Sequence, residues 1–214
     1  MPTEFLSLNG PDNAGKTTQI RLLSEARPTL QLLGSAHEHA PHLWRVPPED
    51  SADWWFETST TAELTYSLLE SHRLRAEARE QGIVAVIDRG HSMLVATAIA
   101  TCIVKDKMSI GDARAAVEAV QRTLAEPPFE HSLLLLLSRD FDESIAISQA
   151  RDSHEWDQRY LLYQRTLHDV LMMQAESGLY TLVMELRRSS RAEIHSQILA
   201  AVDAAVSDRF GASQ

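Results

Sequence analysis

The sequence predicts an α/β protein built on a doubly wound, five-stranded parallel sheet flanked by helices. Three observations carry that expectation. Apolar segments of strand length alternate with segments of helical periodicity along nearly all of the 214 residues. Between the first strand and the first helix lies Gly10-Pro-Asp-Asn-Ala-Gly-Lys-Thr-Thr18, which has the Gly-x-x-x-x-Gly-Lys-Thr spacing. Further on, Ile83-Val-Ala-Val-Ile87 is a continuous and mostly β-branched run, as expected of a strand covered on both faces. Parallel strands joined through helices require right-handed crossovers.

Taken in order, Glu4 to Leu8 reads as a short buried strand, and Thr18 to Glu25 has apolar residues at helical spacing. That helix should stop near Arg27, because Pro28 biases its predecessor out of helical geometry. A second strand is expected over Thr29 to Ala36. The segment His37 to Pro48, with three prolines, then reads as a loop at its carboxyl end. From Ser51, a plausible N-cap, to Gln81 the pattern is helical, with Leu64, Leu68, Leu69 and Leu74 on one face and Gly82 as the stop. Strands are expected at 83–87, 132–137 and 179–184. Helices are expected at about 92–105, 111–125, 142–149, 155–176 and 192–206.

A chain of this length with 44% apolar and 23% charged residues has the makings of one well-filled domain spanning 1–214. The net charge of -10 offers no basic field for a nucleic-acid partner. An anionic small substrate would need arginines and Mg²⁺ gathered locally. The single Cys102 excludes an intrachain disulfide and, with no signal pattern at the N-terminus, leads us to expect a cytoplasmic protein. Its longest purely apolar run, Leu133 to Leu137, is too short for a membrane span.

The chemistry concentrates in a few places. In the loop, Gly10 and Gly15 let backbone N–H groups converge on phosphate oxygens, Lys16 reaches the β/γ-phosphates, and the Thr17 hydroxyl suits Mg²⁺. The helix that follows adds a favourable field for anions. Asp88 and Arg89 end the third strand. There Asp88 can hold Mg²⁺ through water beside Thr17, and Arg89 can clamp a phosphoryl oxygen in two-pronged fashion. A strand-end ion pair is the plainer reading. His37, His39 and His42 crowd a proline-bearing loop, where solvent or substrate contact is a better expectation than a metal site. Trp54, Trp55, Phe56 and Tyr66 could stack a flat ring or simply pack in the core.

On these residues the chain resembles the thymidylate kinase family. Asn9-Gly-Pro-Asp-Asn-Ala-Gly-Lys-Thr-Thr-Gln19 is similar to that family's phosphate loop, and Gly82-Ile-Val-Ala-Val-Ile-Asp-Arg89 is similar to its strand ending in Asp-Arg-Tyr. Here Gly90 replaces the tyrosine, and the family's early Arg-Glu-Pro-Gly-Gly signature is absent. The resemblance implies a P-loop kinase fold and an ATP- and Mg²⁺-dependent kinase of a nucleoside monophosphate. Gly10, Asn13, Ala14, Gly15, Lys16, Thr17 and Thr18 would hold ATP. Asp12 would meet the acceptor sugar, and Arg89 the phosphoryl groups. Family members also carry an arginine for the acceptor phosphate, whose place here falls near Leu68, with Arg73 and Arg75 as the nearest alternatives.

The stretch Glu38-His-Ala-Pro-His-Leu-Trp44 is similar to the Glu-Pro-Val-x-x-Trp stretch of deoxyribonucleoside kinases. It implies a different acceptor, a nucleoside hydroxyl with Glu38 as base and Trp44 in the acceptor site; the plain alternative is a solvated loop acid. Phosphoryl transfer needs water kept out, so a helical lid is expected at about 139–157, with Arg139 and Arg151 able to reach the transferring group and Arg151 preferred. A nucleotide-dependent switch is the nonenzymatic alternative, although the chain has neither an Asp-x-x-Gly switch after a strand nor an Asn-Lys-x-Asp motif. Related kinases are commonly dimers, which leaves room for a homodimer.

Overall fold

The structure is a computed structural model that describes residues 5–44, 53–151 and 156–211, with side chains up to residue 207. Five parallel strands form one sheet in the order β2-β3-β1-β4-β5. They are β1 (Phe5–Asn9), β2 (Gln31–Leu33), β3 (Ala85–Asp88), β4 (Glu130–Leu136) and β5 (Leu182–Glu185). Around them pack α1 (Lys16–Ala26), the short α2 (Ala36–His39), α3 (Thr61–Glu77), α4 (His91–Asp106), α5 (Ile110–Gln121), α6 (Phe141–Gln149), α7 (Gln158–Glu176) and α8 (Arg191–Gly211).

The leucine run of β4 explains why the sheet needs helices on both faces. Side chains alternate along a strand. Leu133 and Leu135 therefore pack with Leu6, Leu8 and Met184 beneath α1 and α8, while Leu134 and Leu136 join the larger core made by α3, α4, α5 and α7. All five leucines from Leu133 to Leu137 are buried. Strand β1 sits between β3 and β4, with Leu8 beside Asp88 in register, so the loops after β1 and β3 leave the sheet side by side. That adjacency at the carboxyl edge positions the site.

Two expected elements differ. The second strand is only three residues long, because Ser35 caps α2 in a reciprocal capping box with Glu38 and pulls 36–39 into helix. The long helix expected from Ser51 is interrupted. A π-helical turn over Trp54–Thr58 ends at extended Ser59, and Thr60 then caps α3 through its own box with Glu63. The Ser51 cap itself lies outside the described residues. Helix α3 ends at Glu77, and Gly82, at φ 87°, serves the turn before β3 instead of the helix end.

Candidate active site

The loop between β1 and α1 is shaped by backbone geometry that few residues allow. Gly10 has φ 139°, and a Cβ there would lie 2.1 Å from the Leu135 carbonyl oxygen of β4. Glycine is therefore required on two counts. Asn13 at φ 62° and Gly15 at φ 77° complete the turn into α1, where Gly15 is the N-cap. Lys16 is buried and donates from Nζ to the carbonyl oxygens of Gly10 (2.9 Å) and Pro11 (2.8 Å). Burial, and after it the nearby Arg89, lowers its pKa below the usual lysine value.

Beside this loop β3 ends in a strained turn. Arg89 has φ 59°, a conformation uncommon for a residue with a side chain. Arg75 of α3 holds that turn in place. Its buried guanidinium donates to the carbonyl oxygens of Asp88 (2.8 Å), Arg89 (2.8 Å) and Gly34 (3.3 Å), tying the ends of β2 and β3 together. Burial pushes its pKa down to about 10. Next in the chain, Gly90 has no room for a Cβ, which would meet Glu130 Oε1 at 2.3 Å and Ser7 Cβ and Oγ at 2.5 Å. A tyrosine at this position would meet the same atoms.

Held this way, Arg89 pairs with Asp12 Oδ1 at 2.5 Å, while the Tyr160 hydroxyl of α7 donates to Asp12 Oδ2 at 2.9 Å. Burial raises the Asp12 pKa, but Arg89, Lys16 and Tyr160 together outweigh it and keep the carboxyl below its ordinary value. The Tyr160 phenol is itself shifted up, by burial and by Asp12.

Two cavities meet at this pair. One, of about 660 Å³, lies over the loop and takes in Asp12 to Gln19, Asp88, Arg89, Arg151 and Arg191. The other, of about 560 Å³, is walled by Trp44, Trp54, Trp55, Phe56, Tyr160 and Tyr163, with His37 at its edge. Asp12, Asp88 and Arg89 border both. Two of the indoles also find partners, Trp44 Nε1 on Ser71 Oγ (2.9 Å) and Trp55 Nε1 on Thr101 Oγ1 (3.0 Å), so rings and polar edges are fixed together.

Several expected residues converge here and others do not. Thr17 and Asp88 share the first cavity, and Asp88 Oδ1 is buried without a hydrogen-bond partner among the described residues. An acceptor-only oxygen and a hydroxyl bordering one cavity are the kind of oxygen donors that fit a hard divalent cation such as Mg²⁺. Arg151 reaches the loop as well, donating to the Asn13 carbonyl oxygen at 2.7 Å, while Asn13 Nδ2 donates to Ser148 Oγ at 2.9 Å. Arg139, by contrast, is exposed at the start of α6, with its backbone tied to Glu185 and His168.

Glu38 lines neither cavity. It is exposed and accepts from Ser35 N (3.3 Å) and Oγ (2.5 Å), bonds that lower its pKa. Arg73 is held by both oxygens of Glu70 and by Glu77, away from the aromatic cavity. Tyr66 is 41% exposed and is not part of that cavity either. Residues not anticipated are Tyr160 and Tyr163, one turn apart on α7, and Arg191 with Leu186 after β5. The i, i+3 tyrosine spacing in a helical pattern was the available signal for the first two.

No family model matches the sequence, and no curated protein does. Solved structures do match in shape. The chain is similar to thymidylate kinase from Candida albicans (TM-score 0.63, 13% identity, covering 95% of this chain and 92% of that one). It is also similar to deoxyadenosine kinase from M. mycoides with bound dCTP (0.63, 12%, 94% and 99%) and with bound dATP (0.64, 12%, 93% and 99%). At such identities the likeness establishes the fold. This chain has the P-loop fold of the nucleoside and nucleotide kinases, with the sheet and flanking helices the sequence led us to expect.

Proposed function

We propose that the protein is an ATP- and Mg²⁺-dependent small-molecule kinase that transfers the γ-phosphoryl group to a nucleoside or a nucleoside monophosphate. One observation carries this reading: a cation-lined cavity over the phosphate loop and a cavity walled by aromatic rings open onto the same three residues, Asp12, Asp88 and Arg89. A donor with a polyphosphate tail and an acceptor with a flat ring could thereby meet end to end. Positioning of that kind accounts for most of the catalysis in phosphoryl transfer.

The chain's own groups divide the work. Backbone N–H groups of residues 13–18 and the Lys16 ammonium would grip the phosphates. Thr17 and Asp88 would hold Mg²⁺, which when bound neutralises charge on the phosphoryl oxygens. Arg89 and Arg151 would flank the transferring group, the latter from the expected lid at 139–157. Residues 152–155 of that lid lie outside the described residues. Trp54 and Phe56 would hold the acceptor ring. No helix among the described residues is long and apolar enough to cross a membrane.

ATP consumption by the purified protein, screened over nucleosides and their monophosphates, tests the reading. Turnover that requires an acceptor supports it, whereas equal consumption with no acceptor present would favour the switch alternative.

A further inference from the structure

The kinase reading leaves open which group receives the proton, and with it whether the acceptor is an alcohol or a phosphate. We infer that Asp12 is the general base and that the acceptor is an uncharged compound carrying a flat aryl or heteroaryl ring and an aliphatic hydroxyl. This inference rests on the kinase reading and sharpens it.

The first argument is position. Asp12 and Asp88 are the carboxylates that border both cavities among the described residues. Asp88 ends β3 with a buried, unpartnered oxygen and shares the first cavity with Thr17. Asp12 has a side chain 43% exposed, and each of its oxygens is fixed by one donor, Arg89 on Oδ1 and Tyr160 on Oδ2. A carboxylate has about four lone-pair sites, so each oxygen keeps one for a further donor. Glu38, the other candidate base, is tied to Ser35 through Oε1 and lines neither cavity.

The second argument is charge. Trp44, Trp54, Trp55 and Phe56 give the acceptor cavity an apolar wall, and among the described residues that line it Arg89 is the single arginine or lysine and His37 the single histidine. That guanidinium already serves Asp12. Arg73 is taken by Glu70 and Glu77 outside the cavity, and Arg75 by backbone carbonyls. A phosphomonoester would bring close to two negative charges against Asp12 and Asp88. An alcohol brings none, and it supplies the O–H donor that Asp12 can accept.

The step balances. The acceptor hydroxyl oxygen bonds to the γ-phosphorus of ATP, the bond from that phosphorus to the β,γ-bridging oxygen breaks, and its electron pair leaves with ADP. The hydroxyl proton passes to Asp12. A carboxylate held ionised serves here because a loose transition state releases that proton late.

The test uses the full chain with Mg²⁺, ATP and a panel of nucleosides beside their matching 5′-monophosphates. Wild type should turn over nucleosides. Asp12→Asn should lower kcat by about 10² to 10⁴, with ATP uptake by calorimetry retained. The deficit should narrow for a nucleoside whose hydroxyl is acidified by a neighbouring fluorine. Glu38→Gln should stay near wild-type rates. Tyr160→Phe, which removes a bond favouring the carboxylate, should move the acidic limb of the kcat profile to higher pH, a readout that stands even where Asp12→Asn fails to fold.

Turnover confined to monophosphates would overturn the inference, as would a loss carried by Glu38→Gln, or an acidic limb unmoved in Tyr160→Phe; each leaves the kinase reading standing. If wild type takes up no ATP at all, the kinase reading falls, and the inference falls with it.

Discussion

The two halves of the site are made in opposite ways. The half proposed to hold phosphates is one contiguous loop, in which backbone geometry at Gly10, Asn13 and Gly15 sets the shape and Lys16 closes it from within. Apart from Trp44, which ends the stretch similar to the deoxyribonucleoside kinases, the aromatic half follows no motif. It is assembled from the turn after α2, the π-helical turn before α3, the amino half of α4 and the first turns of α7. Backbone-built sites tolerate few changes at few positions, whereas sites built from side chains spread their tolerance over many. Substitutions in the two halves should therefore fail differently.

The largest effect should come from Lys16→Ala. Losing the ammonium should cut phosphoryl transfer on the order of a thousandfold, and because the carbonyl oxygens of Gly10 and Pro11 lose its hydrogen bonds, stability should fall by about 1 to 3 kcal/mol as well. Retention of substantial turnover would dissolve the contrast between the halves. Next is Arg75→Ala, which leaves the carbonyls of Gly34, Asp88 and Arg89 without a donor. About 2 to 4 kcal/mol of stability should be lost, measurable by denaturant unfolding, and Arg75→Lys should restore only part of it.

In the aromatic half, Trp54→Ala should raise the acceptor KM about tenfold to a hundredfold, equivalent to about 1.4 to 2.8 kcal/mol, while ATP affinity holds. A matching loss of ATP affinity would mean that the two cavities do not act separately. Smallest of all should be Tyr66→Ala. This ring is exposed outside the cavity, so stability should change by less than about 0.5 kcal/mol and acceptor KM should not move.

Legibility in the sequence followed the same division. Lys16, Thr17 and Asp88 could be placed because spacing along the chain dictates spacing in the loop and at the strand end. The parallel sheet was equally readable from the alternation of runs such as 83–87 and 132–137. Tyr160 was not, since nothing along the chain indicates that a residue 148 positions beyond Asp12 will donate to it. The capping box at Ser35 and Glu38 shows a second kind of failure. A local reciprocal bond holds a carboxylate that the likeness to the deoxyribonucleoside kinase stretch had suggested for chemistry, in line with the plainer loop-acid alternative. Arg75 shows a third, because a buried arginine facing carbonyls is invisible until the strand ends it joins are known.

The crowding at Gly90 has one more implication. A methyl group there would strike side chains on two neighbouring strands, Ser7 on β1 and Glu130 on β4. Placing an aromatic residue after Asp88 and Arg89 by a single replacement is thus blocked, and it would take a coordinated change at Gly90 and on the two strands β1 and β4 to open that route. Chimeras with the thymidylate kinases should accordingly exchange these positions as a block.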